Sequence, residues 1–435
     1  MTHLEIGITG IVCALVLIAI RVPIGVALGL VSIIGISQLT NMHIAWGMIS
    51  ATPFDFAGTW ELTAAPMFLF MGYLCTTTHM TQGLFKAMRL YLARLPGGLA
   101  VSSVVASAFF AAASGSSVAT SAAMSRIAVP EMFKHGYDRG LATGTVAASG
   151  TLGSLIPPSV LLVLYGVYAQ VSVGQLFMAG FLPGIASALL YIAMIIIRVK
   201  LKPSLAGPTA VTSSWQEKWD AFRHIWPLPL LIGSVLGGIF LGIFSPTEAG
   251  AIGTSIAALI AFTRKTLTQE AVKSAVISTA ISTCSIFIIL IGSLFFTRFL
   301  ALSGVPSAFS NMILSVSTDT WWILLATTVI YLVLGMFIDS IGLLLLTLPL
   351  ILPLIEGADL NLIWFGIIVV KLLEVGLVTP PIGLNVYVIK GALGNSVTLQ
   401  QVFKGVAWFI LMDLIALLLI ILIPELSLYL PQSML

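Results

Sequence analysis

Two short stretches hold residue types that could bind an ion or a polar solute inside an otherwise apolar chain. The first is Ala111-Ala112-Ala113-Ser114-Gly115-Ser116-Ser117-Val118-Ala119-Thr120-Ser121, small and hydroxylic where a lipid-facing helix would carry Leu or Ile. Backbone groups freed by unwinding such a run need partners, because an unsatisfied group in hydrocarbon costs several kcal/mol. A bound cation or a polar substrate supplies them; ordinary small-residue helix packing is the plainer use of the same residues. The second stretch, Gly335-Met336-Phe337-Ile338-Asp339-Ser340, sets a carboxylate within an apolar segment. Such a charge is costly in a membrane and usually faces a cavity or a partner.

Two more stretches must break a helix. Ser149-Gly150-Thr151-Leu152-Gly153-Ser154-Leu155-Ile156-Pro157-Pro158-Ser159 is one, and Glu374-Val375-Gly376-Leu377-Val378-Thr379-Pro380-Pro381-Ile382-Gly383-Leu384-Asn385 is the other. Paired prolines remove backbone donors, and the glycines relax the chain around them. Further charges lie in apolar surroundings. Arg298 carries a fixed guanidinium fork suited to a carboxylate, or snorkels to the interface. Lys371 and Glu374, spaced i, i+3, would neutralise each other. Glu248 suits the first turn of a helix.

The elements that position these residues follow from composition. Of 435 residues 59% are hydrophobic and 8% charged, against about 25% charged in soluble domains. The mean hydropathy is +1.11, so the chain belongs in a lipid bilayer. A net charge of +3 without a Lys/Arg run gives no surface for nucleic acid. Cys13, Cys75 and Cys284 stand singly and read as small hydrophobes. The N-terminal segment has no basic lead-in or cleavage site and is expected to be a retained first span.

Apolar segments fall at 4–20, 23–40, 62–80, 97–130, 140–170, 172–197, 226–243, 246–262, 274–302, 321–355, 361–389 and 401–424. Pro157-Pro158 precedes Pro380-Pro381 by 223 residues, and Pro23/Pro246, Pro130/Pro353, Gly153/Gly376 and Ser117/Ser340 share that offset. The same offset places Asp339 opposite Ser116. An internal duplication is expected: a first repeat over 1–200, a cytoplasmic linker over 201–222 and a second repeat over 223–435.

Basic residues mark cytoplasmic loops. Arg94, Lys134 and Arg139 flank 97–130, whereas Asp319, Glu356 and Asp359 flank 321–355. If both segments are re-entrant hairpins, each repeat has an odd number of spans and the second is inverted. The expected fold is an all-α polytopic membrane protein of two inverted-topology repeats. It has about ten spanning helices, two re-entrant hairpins (97–130 and 321–355) and two discontinuous helices (140–170 and 361–389), with both termini periplasmic. That is a transporter architecture, and matching helix breaks point to a midplane site.

No GxxxxGK[ST] loop is present, so this chain carries no ATP-hydrolysis engine, and its energy must come from an ion gradient or another chain. The five histidines form no metal-ligand pattern. Ser114-Gly115-Ser116 could be a serine turn of an intramembrane protease, but the one histidine within an apolar segment, His79, lies at the very end of 62–80. A channel would need a filter motif, and none is seen.

The chain resembles the large membrane subunit of tripartite ATP-independent periplasmic (TRAP) transporters. The resemblance is carried by Pro66-Met67-Phe68-Leu69-Phe70-Met71-Gly72-Tyr73, Leu95-Pro96-Gly97-Gly98-Leu99-Ala100, Ser114-Gly115-Ser116-Ser117-Val118-Ala119-Thr120, Ser149-Gly150-Thr151-Leu152-Gly153, Leu155-Ile156-Pro157-Pro158-Ser159, Ser245-Pro246-Thr247-Glu248-Ala249-Gly250 and Thr379-Pro380-Pro381-Ile382-Gly383-Leu384-Asn385. These occur in the family's order over nearly the whole chain. The resemblance implies an elevator-type secondary transporter of the bacterial inner membrane, not an enzyme and without a tightly bound cofactor. It would use a sodium gradient to take up an organic anion such as a C4-dicarboxylate, another carboxylate or a sugar acid. It implies two partners, a small four-helix membrane subunit and a periplasmic substrate-binding protein. It also implies sodium ions around Ser116, Ser117, Gly150 and Gly153, and around Asp339, Ser340, Gly376 and Thr379. Arg298, Asp339, Ser116 and Ser159 match its substrate-linked polar positions. A stand-alone sodium- or proton-coupled anion carrier remains the alternative.

Overall fold

The computed structural model describes residues 1–81, 83–207, 214–316 and 319–434. The described residues form α-helices joined by short turns and three single 3-10 turns, with no strand. Four helices are long and apolar enough to cross a membrane alone: Val173–Leu201, Gln269–Ser303, Ser340–Gly357 and Leu399–Leu422. Shorter apolar helices include His3–Ala19, Ile24–Leu39, Gly98–Ser114 and Thr320–Gly335.

Each segment read as a hairpin is a pair of helices split at a polar tip. The first pair is Gly98–Ser114 and Ser117–Lys134. Gly115 ends the leading helix at φ 63°, a left-handed conformation that favours glycine, and Ser116 caps the next by accepting the Ala119 N–H. The second pair is Thr320–Gly335 and Ser340–Gly357, with Asp339 as the cap that accepts the Gly342 N–H. Both prolines of the latter helix, Pro349 and Pro353, sit inside it.

The broken helices fall where the paired prolines require. Arg139–Leu155 and Val160–Tyr168 are bent by 40° across the 156–159 break. Leu362–Val378 and Leu384–Leu393 flank 379–383. Both Pro157-Pro158 and Pro380-Pro381 bonds are cis. Ser117–Lys134 and Arg139–Leu155 recur as Ser340–Gly357 and Leu362–Val378, with every helix end displaced by the same 223 residues.

The leading halves of the broken helices are the centre of the molecule: every residue of 141–155 and of 364–378 is buried. Around them pack the hairpin helices, Val173–Leu201 and Leu399–Leu422. Outer helices leave Val12, Val16, Ile281, Ile288, Val329 and Leu418 exposed. An apolar exterior over a core rich in Ser, Thr and Gly suits lipid as the solvent.

The sequence reading missed five helices. Met42–Ala57, Leu84–Leu92, Val305–Val316 and Glu425–Gln432 are short or mixed in polarity, so a search for long apolar runs passes over them. The fifth is short and polar. Helix Trp215–Ile225 begins inside 201–222, opened by a capping box in which the Ser214 hydroxyl and the Glu217 carboxylate serve each other's backbone N–H. Residues 208–213 lie outside those described.

Candidate functional site

A cavity of about 400 Å³ opens between the two tips. The first tip contributes Ser114, Gly115, Ser116 and Ser117, and the second contributes Asp339 and Ser340. Ser154 and Glu374 reach it from the two broken helices, and Tyr73, Thr76, Ser282 and Ser285 face it from outer helices. Its lining includes no Lys, Arg or His. A negatively charged solute would therefore meet two carboxylates and no cationic side chain.

Hydroxyls and one carboxylate join the first tip to both broken helices. Ser117 Oγ donates to Glu374 Oε2 at 2.6 Å and lies 2.8 Å from Ser154 Oγ. Ser114 Oγ and Thr120 Oγ1 are 3.1 Å apart behind the tip. Glu374 is 1% exposed, and its Oε1 has no hydrogen-bond partner. At the second tip Asp339 Oδ2 accepts the Gly342 N–H at 3.1 Å, and the buried Ser340 Oγ has no partner. Across the cavity the Tyr73 hydroxyl lies 2.7 Å from Ser282 Oγ.

Glycines set the depth of these contacts. A Cβ on Gly150 would stand 2.0 Å from Ser121 Oγ and 3.1 Å from the Ser117 carbonyl oxygen. Gly153 abuts the first tip in the same way, its absent Cβ 3.3 Å from the Ser116 carbonyl carbon. On the other side a Cβ on Gly376 would meet the Gly335 backbone at 2.8 Å. Each broken helix thus packs backbone to backbone against its own hairpin, which only small residues allow. At the hairpin's base the Tyr137 hydroxyl accepts the Leu99 N–H at 3.1 Å, and burial pushes that phenol above its usual range.

Of the residues singled out from sequence, Ser116, Ser117, Asp339 and Ser340 meet at the cavity. Thr379 is turned to its own helix, its hydroxyl donating to the Val375 carbonyl at 2.6 Å. Ser159 is fully buried and caps Val160–Tyr168 through the Leu162 N–H. Arg298 does not reach the cavity lining; its Nη1 donates to Thr52 Oγ1 at 2.6 Å. Glu248 accepts the Ser245 N–H at 2.7 Å in a capping box, a sufficient structural reason for it.

The expectation that Lys371 and Glu374 neutralise each other is corrected. Lys371 instead pairs with Asp413, 1% exposed on Leu399–Leu422, and donates to Ser187 Oγ at 3.1 Å. The Tyr191 hydroxyl donates to the same Asp413 oxygen. Asp413 escaped the sequence reading although it is the single charge between Lys404 and Glu425. The rule that flagged Lys371 would have found it.

With this geometry in view, the chain matches the family described as tripartite ATP-independent periplasmic transporter, DctM component, over residues 11–426. A C4-dicarboxylate TRAP transporter large permease protein of Pseudomonas aeruginosa is 31% identical over 380 residues, covering 87% of this chain and 88% of its own. An isethionate TRAP transporter permease protein of Oleidesulfovibrio alaskensis is 30% identical over 420 residues, covering 95% of this chain and 64% of its own. Among solved structures, the crystal structure of the Alcanivorax borkumensis YdaH transporter matches with a TM-score of 0.57 at 14% identity, over 87% of this chain and 89% of that one. At that identity the likeness is one of fold.

Proposed function

This chain belongs to the DctM component family of tripartite ATP-independent periplasmic transporters, and from that premise we propose that it is the large subunit of a sodium-driven importer of an organic anion. Carboxylates and sugar acids are the solute class. The partners are a small membrane subunit and a periplasmic binding protein that hands over the solute. The carrying observation is the cavity of about 400 Å³ where both hairpin tips meet.

Charge balance supports coupling to a cation. Asp339 and Glu374 face the cavity without a cationic side chain in its lining, so an anion binds there more favourably when cations come with it. Hydroxyl, carboxylate and carbonyl oxygens at the tips suit a hard cation. Ser116 and Ser117 against Gly150 and Gly153, and Asp339 and Ser340 against Gly376, supply oxygen groups of the kind sodium takes, whereas the Thr379 hydroxyl is spent on the Val375 carbonyl. Bound ions would order the two tips and preform the solute site, linking ion and solute binding by one reciprocal free energy.

The recurrence of helix ends at a constant 223 residues supports two repeats. With the charge bias of the hairpin flanks, it supports their inversion and an inner-membrane protein with both termini in the periplasm. The hairpins, broken helices, Val173–Leu201 and Leu399–Leu422 would move as one unit past the remaining scaffold, in the manner of an elevator. Arg298, outside the cavity and bonded to Thr52, would serve the docked binding protein.

The test is uptake of labelled organic acids into proteoliposomes holding this chain and its small subunit, with sodium or potassium gradients and with or without binding protein. Uptake is expected only when sodium and binding protein are both present. Uptake by the membrane proteins alone would instead identify a stand-alone carrier.

A further inference from the structure

We propose that Glu374 is a ligand of the cation held at the first tip, so that this site is built from both halves of the chain. The proposal rests on the sodium-coupled reading above and extends its ligand set. Glu374 is carried by Leu362–Val378, in the second half, yet its Oε2 accepts from Ser117 of the first tip at 2.6 Å. Its other oxygen, Oε1, is buried and has no partner.

A carboxylate so enclosed needs compensation, because burying a charge without a counter-charge or hydrogen bonds is expensive. Lys371, one turn away, is already engaged by Asp413 and Ser187. Among the described residues no Lys, Arg or His forms an ion pair with Glu374. Its hydrogen-bonding neighbours are hydroxyls, Ser117 Oγ and through it Ser154 Oγ, at the edge of the cavity. On the far side of the tip, Gly150 and Gly153 pack against Ser121, Ser116 and Ser117. A carboxylate with one free oxygen beside two hydroxyls, all oxygen donors, has the chemistry to hold a small hard cation.

The duplication explains why the ligand must come from the other half. The residue 223 positions before Glu374 is Thr151, whose hydroxyl donates to the Ala148 carbonyl at 2.6 Å. The residue 223 positions before Asp339 is Ser116. The first half therefore supplies no carboxylate at its own tip, and Glu374 provides it from across the interface.

Sodium binding is to be measured by calorimetry and by sodium-dependent thermal stabilisation on this chain with its small subunit, in wild type, Glu374→Gln and Glu374→Asp. Glu374→Gln is expected to weaken sodium binding by about tenfold or more and to reduce the number of sodium ions bound. Glu374→Asp, which keeps the charge on a shorter stem, should fall between. Wild-type sodium affinity and stoichiometry in Glu374→Gln would overturn the proposal, including the case where that variant loses only a pH response, since a proton then sits at Glu374. If Glu374→Gln does not fold, Glu374→Asp decides: unchanged affinity overturns the proposal. A wild-type protein with no sodium response would bring down the sodium reading and this proposal together, whereas a response shared equally by wild type and Glu374→Gln brings down this proposal alone.

Discussion

At the first tip Ser116 caps the helix behind it with a neutral hydroxyl, and at the second Asp339 does so with a carboxylate. Ser117 and Ser340, next in line and matched at the same offset, differ as well: one is bonded to Glu374 and Ser154, while the other has no partner. The broken helices follow suit. Leu362–Val378 carries Lys371 and Glu374, whereas Arg139–Leu155 carries Ala148 and Thr151 in their places. Helices with matching ends thus carry their buried charges in the second half. The two tips are therefore unequal, one with its own carboxylate and one bonded to a carboxylate of the other half.

The largest test of this asymmetry is the buried pair. Lys371→Met leaves Asp413 uncompensated and should cost about 3–5 kcal/mol, read as loss of thermal stability of the purified protein. Lys371→Met with Asp413→Leu should recover most of it. Thr151→Ala in the first broken helix should cost only about 1 kcal/mol. Equal losses from the Lys371 and Thr151 changes would break the contrast.

Next come the close-packed glycines. Gly376→Ala drives a methyl into the Gly335 backbone, which cannot turn aside, and should cost about 1–3 kcal/mol. Gly150→Ala meets chiefly the Ser121 hydroxyl, a rotatable group, and should cost less by thermal unfolding. The reverse order would mean that the first tip is the more rigid.

Smaller effects separate charge from cap. Asp339→Ser keeps a capping hydroxyl and should change stability by under about 1 kcal/mol, while weakening sodium activation of uptake. Unchanged sodium activation would remove the second carboxylate from the cation sites. Smallest of all, Ser340→Ala deletes an unpartnered hydroxyl and should be within about 0.5 kcal/mol of neutral in sodium-free buffer. Ser117→Ala, which strips Glu374 of a donor, should cost about 1–3 kcal/mol.

Much of this was legible before any fold was known. Paired prolines and glycines locate the helix breaks because their backbone chemistry is local. Asp339 and the Ser116-Ser117 run stand out against apolar surroundings, and all three reach the cavity. Ser159 and Arg298 stand out equally and do not line it, because a polar residue in an apolar segment can serve a cap or a neighbouring helix instead. Leu84–Leu92 escaped because a nine-residue amphipathic helix, however periodic, is not a long apolar run.

The sequence by itself determined the solvent of this protein, its duplicated order of elements, its four backbone interruptions and its family. Each of these depends on composition or on residues within a few positions of one another. Only the tertiary structure decided the partners of the buried charges: Lys371 with Asp413, 42 residues on, and Glu374 with Ser117, 257 residues back. Local spacing favoured a Lys371–Glu374 pair. In a buried core, however, a charge is stabilised by whichever oppositely charged or hydrogen-bonding group packing brings within reach, and the sequence does not record that distance.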